Sequence, residues 1–119
     1  MPIERSVRDR VLHLDPDGPL MSSSDDTNDL IGDAWANRCD TVAVPVARLD
    51  PRFFDLASGL AGTVAQKFVN YRLRLVVVGD ITAHEAASRA LRDWVRESNR
   101  GDHIWFLPDD AALAERLRA

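Results

Sequence analysis

The segment FFDLASGLAGTVAQKFVNYRLRLVVVGD, residues 53–80, decides how the chain folds. On a helical wheel at about 100° per residue, Leu60, Ala61, Val64, Ala65, Phe68 and Tyr71 gather on one side. That stripe predicts a helix over 59–71, capped by Ser58, with its apolar side against a sheet. A continuous apolar run rich in valine follows at 73–78, the pattern of a strand buried on both faces. A helix feeding such a strand points to an α/β fold.

Working outward, residues 41–46 form a second valine-rich run of the same kind. Residues 7–14 alternate loosely and end at DPDG, where Pro16 and Gly18 suit a tight turn into a short strand at 19–21. Ser23 with Asp26 is a capping-box start for a helix reaching about Arg38 and burying Leu30, Ile31, Ala34 and Trp35. Thr82 with Glu85 offers a second such box. Its helix places Ala87, Leu91, Trp94, Val95 and Ser98 on one face and ends at Gly101. Residues 104–107 are a last strand, and Asp109 caps a terminal helix held by Leu113 and Leu117. The order β-β-α-β-α-β-α-β-α predicts one α/β domain with a mixed sheet of about five strands and about four helices, the leading hairpin adding an antiparallel edge.

Bulk composition limits the function classes. The 119 residues fit one domain, and 45% hydrophobic with 29% charged content is that of a soluble globular protein. No run is long enough to cross a bilayer, and MPIERSVRDRVLHL has no apolar signal core, so a cytoplasmic protein is expected. A net charge of -4 with scattered basic residues argues against nucleic-acid binding. Cys39 is the sole cysteine, which excludes an internal disulfide and a multi-cysteine zinc site. It reads as a small buried residue, with a reactive thiol as the alternative. Lys67 is the only lysine beside 14 arginines, a bias typical of GC-rich bacterial genomes.

The predicted middle helix carries a second pattern. Gly59, Gly62, Gln66 and Asn70 fall opposite the apolar stripe, with Thr63 and Lys67 beside them. Each helical glycine costs roughly 1 kcal/mol against alanine, so close approach by another body is the expected reason for them. A neighbouring helix, a second subunit or a ligand would each satisfy it. Asp80 follows a strand at the edge where open α/β sheets place their sites, and equally suits a turn before Thr82. Asp25, Asp26, Asp29 and Asp33 stand either as a solvated helix start or as a cation site. His13, His84 and His103 lack metal-ligand spacing, and no phosphate loop, dinucleotide fingerprint or nucleophile elbow is present. No cofactor and no metal are therefore expected.

FFDLASGLAG, QKFVNY, LVVVGD and RESNRG, in that order, with DTNDLIGDA in the first helix, resemble the bacterial family called domain of unknown function 4180 over nearly the whole chain. The resemblance carries no particular activity with it. A more distant similarity is to the STAS domains of anti-sigma-factor antagonists. These carry Asp, Ser/Thr, Ser/Thr, Gly, Leu where a helix starts after a central strand, and a hydroxyl there takes a regulatory phosphate. DLASGL sets Asp55, Ser58, Gly59 and Leu60 in a similar place, with one extra residue after Asp55 and with VPVA replacing the acidic strand end. That similarity implies a possible phosphosite at Ser58, where the plain alternative is an unmodified cap.

Together these features favour a non-catalytic regulatory or protein-interaction module. Its expected surface comprises Asp55, Ser58, Gly59, Gly62, Gln66, Lys67, Asn70 and Tyr71, and it would meet a protein partner or a second copy of the chain. The alternative is a small-molecule binder or enzyme with a sheet-edge pocket drawing on Asp29, Asp80, Asn99, Gln66 and Asn70.

Overall fold

The computed structural model describes residues 5–8 and 10–118. In it the two valine-rich runs become neighbouring parallel strands, β3 (Thr41–Pro45) and β4 (Arg74–Val78). The sheet is completed by β1 (Arg5–Arg8), β2 (Val11–Leu14) and β5 (Ile104–Leu107), in the spatial order β1-β2-β3-β4-β5. The four strands β2 to β5 run parallel, and β1 is the antiparallel edge. Five helices accompany them: α1 (Ser24–Ala36), α2 (Leu60–Asn70), α3 (Thr82–Ala87), α4 (Arg89–Arg100) and α5 (Asp110–Arg118).

Right-handed crossovers between strands laid down in sequential order put every connecting helix on the same side. The core agrees. Ile31 and Ala34 of α1, Val64 and Phe68 of α2, and Leu91 and Val95 of α4 share one cluster with the alternate strand residues Leu12, Val42, Leu75 and Phe106. The opposite face is a smaller cluster of Val11, Ala43, Val76 and Trp105, covered by Leu113 of α5. Trp105 donates its indole N–H to Gly101 O at 2.7 Å and lies between the guanidinium groups of Arg74 and Arg116, each 4.1 Å from the ring centre.

Several local expectations are corrected. Residues 7–14 are not one strand: the chain doubles back through a turn containing Arg10, whose φ is +66°, and β1 pairs with β2. The DPDG segment instead begins the crossover to α1, and the strand expected at 19–21 shrinks to one bridge between Met21 and Leu49. Pro19 has no N–H to give to a ladder, and Leu20 is exposed. The helix expected after Thr82 is two helices: Ser88 turns extended and caps α4, its hydroxyl accepting the Leu91 N–H at 3.1 Å. Ala87 is consequently exposed, and Thr82 and Glu85 form no box; Asp80 accepts the Thr82 N–H at 2.9 Å instead. The start of α1 is as predicted in place but shifted in detail. Ser23 accepts the Asp26 N–H, while the Asp26 carboxylate reaches back to the Ser22 N–H at 3.0 Å.

Candidate functional site

Between β3 and α2 the chain makes three short 3-10 turns, Val46–Arg48, Pro51–Phe54 and Leu56–Ser58. Asp50 and Asp55 cap the second and third, accepting the Arg52 and Ala57 N–H groups. These turns bury Phe53 and Phe54 under the sheet, Phe53 packing edge-on against Phe54 with ring centres 5.4 Å apart. Phe54 in turn stacks on His84 at 4.1 Å, so that histidine serves packing.

The start of α2 differs from the sequence expectation. Gly59, at φ +82°, is the cap, and Ser58 ends the preceding turn. Only glycine adopts that left-handed geometry without strain, which accounts for Gly59 without any outside body. The Ser58 hydroxyl is exposed, donates to Arg52 O at 2.6 Å and accepts the Leu60 N–H at 3.2 Å. Gly62 has no such backbone reason. A Cβ built there, or at Gly32 of α1, meets no atom within 4 Å, so nothing in the protein's own fold presses on either glycine.

Gln66 and Asn70 are exposed and bond to each other, Gln66 Nε2 donating to Asn70 Oδ1 at 2.8 Å. Lys67 crosses to α1, where its Nζ donates to Asn28 Oδ1 at 3.0 Å. Beside that bridge a groove of about 620 Å³ opens between the helices, lined by Asn28, Ile31, Gly32, Trp35, Lys67 and Tyr71. Trp35 is expected in the core, and Tyr71 both on the sheet-facing stripe and in the interaction surface. They are 59% and 49% exposed, because Trp35 lies in the last turn of α1 and Tyr71 is the C-cap of α2, where each ring leans over the groove and not onto the sheet. Burying a large apolar side chain is worth about 1.5–3 kcal/mol, and roughly half of that gain is forgone at each position.

The remaining candidates are spread over other places. Asp29 is exposed on α1 and lines a different cavity. Asp80 is a turn carboxylate: the Thr82 hydroxyl and N–H both donate to it, and these bonds hold its carboxyl below the usual carboxylate range. Asn99 is structural, because its side chain donates to Phe106 O and accepts the Phe106 N–H at 2.7 Å, docking α4 on β5. The sheet-edge pocket built from Asp29, Asp80, Asn99, Gln66 and Asn70 is thus not assembled. Cys39 is buried, which pushes its thiol up. Among the described residues no three His, Cys, Asp or Glu side chains group closely enough to hold a metal, and no helix is long and apolar enough to cross a membrane.

Fold and surface together define a single mixed α/β domain with α1, α2 and α4 on one face of the sheet, α5 on the other, and an aromatic-walled groove between α1 and α2. The family model described as Domain of unknown function (DUF4180) matches residues 7–117, and the chain belongs to that family. No curated protein and no solved structure gives a significant match.

Proposed function

We propose that this chain is a small bacterial, cytoplasmic regulatory module with a STAS-like fold that acts by binding a protein partner and performs no catalysis. The observation that carries this reading is the groove between α1 and α2, where Trp35 and Tyr71 stand exposed on either side of an unfilled glycine backbone. Exposed aromatic rings with a polar rim are the composition of interface anchors; Asn28 and Lys67 supply polar groups at the groove, and Gln66 and Asn70 add an exposed amide pair on the same helix as Lys67. The sequential strand order, with helices connecting the parallel strands and a hydroxyl just before α2, supports the STAS-like comparison. On this reading Ser58 is the regulatory position. A phosphate there would add about two negative charges beside the amino end of α2 and remove the hydroxyl's donation to Arg52 O, altering the contact surface.

Affinity capture tests it with wild-type protein, Gly62→Trp and Trp35→Ala, each first shown to melt as a folded domain. Loss of the same captured protein in both variants supports the reading. Identical capture by all three would remove it.

A further inference from the structure

A second cavity, of about 570 Å³, lies on the loop side of α1. Leu14 at the carboxyl end of β2 and Arg48, just past the carboxyl end of β3, both line it. This is the edge of parallel strands where open α/β sheets receive ligands.

Arg48 is only 8% exposed, yet among the described residues no carboxylate pairs with it. Its Nε donates to Pro19 O at 2.7 Å and its Nη1 to Asp15 O at 2.9 Å, so the crossover loop wraps the guanidinium without neutralising it. Among the described residues the remaining nitrogen, Nη2, has no hydrogen-bond partner. No buried side-chain nitrogen or oxygen among the described residues lacks a bond. Nη2 is therefore not fully enclosed, and Arg48 is part of the cavity lining. A buried charge is costly unless an opposite charge meets it, and a planar guanidinium fits a carboxylate best.

The rest of the lining narrows the ligand. Asp26, Asp29 and Asp33 also border the cavity, so a dianion such as phosphate would be repelled far more than a zwitterion with no net charge as it approached Arg48. The carboxylates do not group as a metal site. The exposed Asp29 carboxylate would suit an ammonium group carried by the same molecule. Leu14, Leu20, Met21 and Leu30 add an apolar wall. We infer that this cavity binds a free α-amino acid with an apolar side chain, its carboxylate on Arg48, its ammonium toward Asp29, and its side chain on the leucine wall. The site is independent of the partner surface, although α1 borders both cavities through Asn28 and Gly32.

Titration calorimetry on the whole chain tests this with L-leucine, L-methionine and L-valine as probes, beside isocaproate, which lacks the ammonium, and isoamylamine, which lacks the carboxylate. Asp29→Asn changes an exposed residue outside every bond described above and leaves the fold intact, whereas Arg48→Gln also releases the loop. The expected result is saturable binding of at least one amino acid, weakened about tenfold or more in Asp29→Asn and for both truncated analogues. Absence of binding by all three amino acids overturns the inference. So does equal binding of leucine and its analogues, or unchanged affinity in Asp29→Asn.

Discussion

Lys67 Nζ on α2 donates to Asn28 Oδ1 on α1 at 3.0 Å, closing one end of the groove that Trp35 and Tyr71 flank. The bond joins residues 39 apart in sequence and is exposed. An exposed bond to a charged donor is worth at most about 1 kcal/mol net. Lys67→Ala should therefore lower stability by less than about 1 kcal/mol, and a double-mutant cycle with Asn28→Ala should show coupling of similar size. Urea denaturation of the four proteins measures it; strictly additive losses would show that the bridge does not form in solution.

Glycine substitutions separate backbone need from open surface. Gly59→Ala forces a side chain into left-handed geometry and should cost roughly 1–2 kcal/mol. Gly62→Ala and Gly32→Ala fill empty space on helices and should each stabilise by up to about 1 kcal/mol. Thermal melts with these opposite signs would mean that stability does not retain Gly32 and Gly62, leaving recognition as their reason. A loss on Gly62→Ala would contradict this.

Asn99→Ala removes both bonds to the Phe106 peptide and leaves its N–H and carbonyl without those partners. The expected loss is roughly 2–3 kcal/mol, read from the denaturation midpoint. Asn99→Asp retains an acceptor for the Phe106 N–H and should lose less. An Asn99→Ala protein as stable as wild type would refute the docking role of this side chain.

Acid should destabilise the protein through identifiable carboxylates. The Ser22 N–H holds Asp26 below the usual range, the Arg52 side chain does so for Asp50, and the Thr82 hydroxyl for Asp80. Each depressed carboxyl contributes stability that is complete above the unfolded-chain value of about 3.9 and fades as pH falls through the lower folded value. Stability should thus decline below about pH 4, and Asp26→Asn should flatten that decline while costing stability at neutral pH. An unchanged acid limb in Asp26→Asn would contradict the assignment for that residue.

The fold was legible where burial dictates sequence. The runs around Val42 and Val76 had to be strands because alternate residues of each meet core on opposite faces of the sheet, and Ala61, Val64 and Phe68 had to face one of them. Turn positions were less readable. Arg10 turns the first hairpin in left-handed geometry without the Asn-Gly signature that would announce it, and Ser88 divides a pattern that remains helical on both sides. The candidate surface was half legible: Lys67 and Tyr71 line the groove, but Trp35 was assigned to the core because periodicity cannot register that a helix ends before its last aromatic is covered. Gly32, a glycine inside a helix with nothing near it, was the available signal for that second wall. Arg48 gave none, since its burial depends on a loop that folds back from Asp15 to Pro19.

Site-specific photo-crosslinking in living cells tests the interaction surface most directly, with the reactive side chain placed at Trp35, at Gly62 and, as control, at exposed Arg92 on α4. The account predicts one common adduct, joined through positions 35 and 62 and absent from position 92. Adducts formed equally from all three positions, or from position 92 alone, would contradict it.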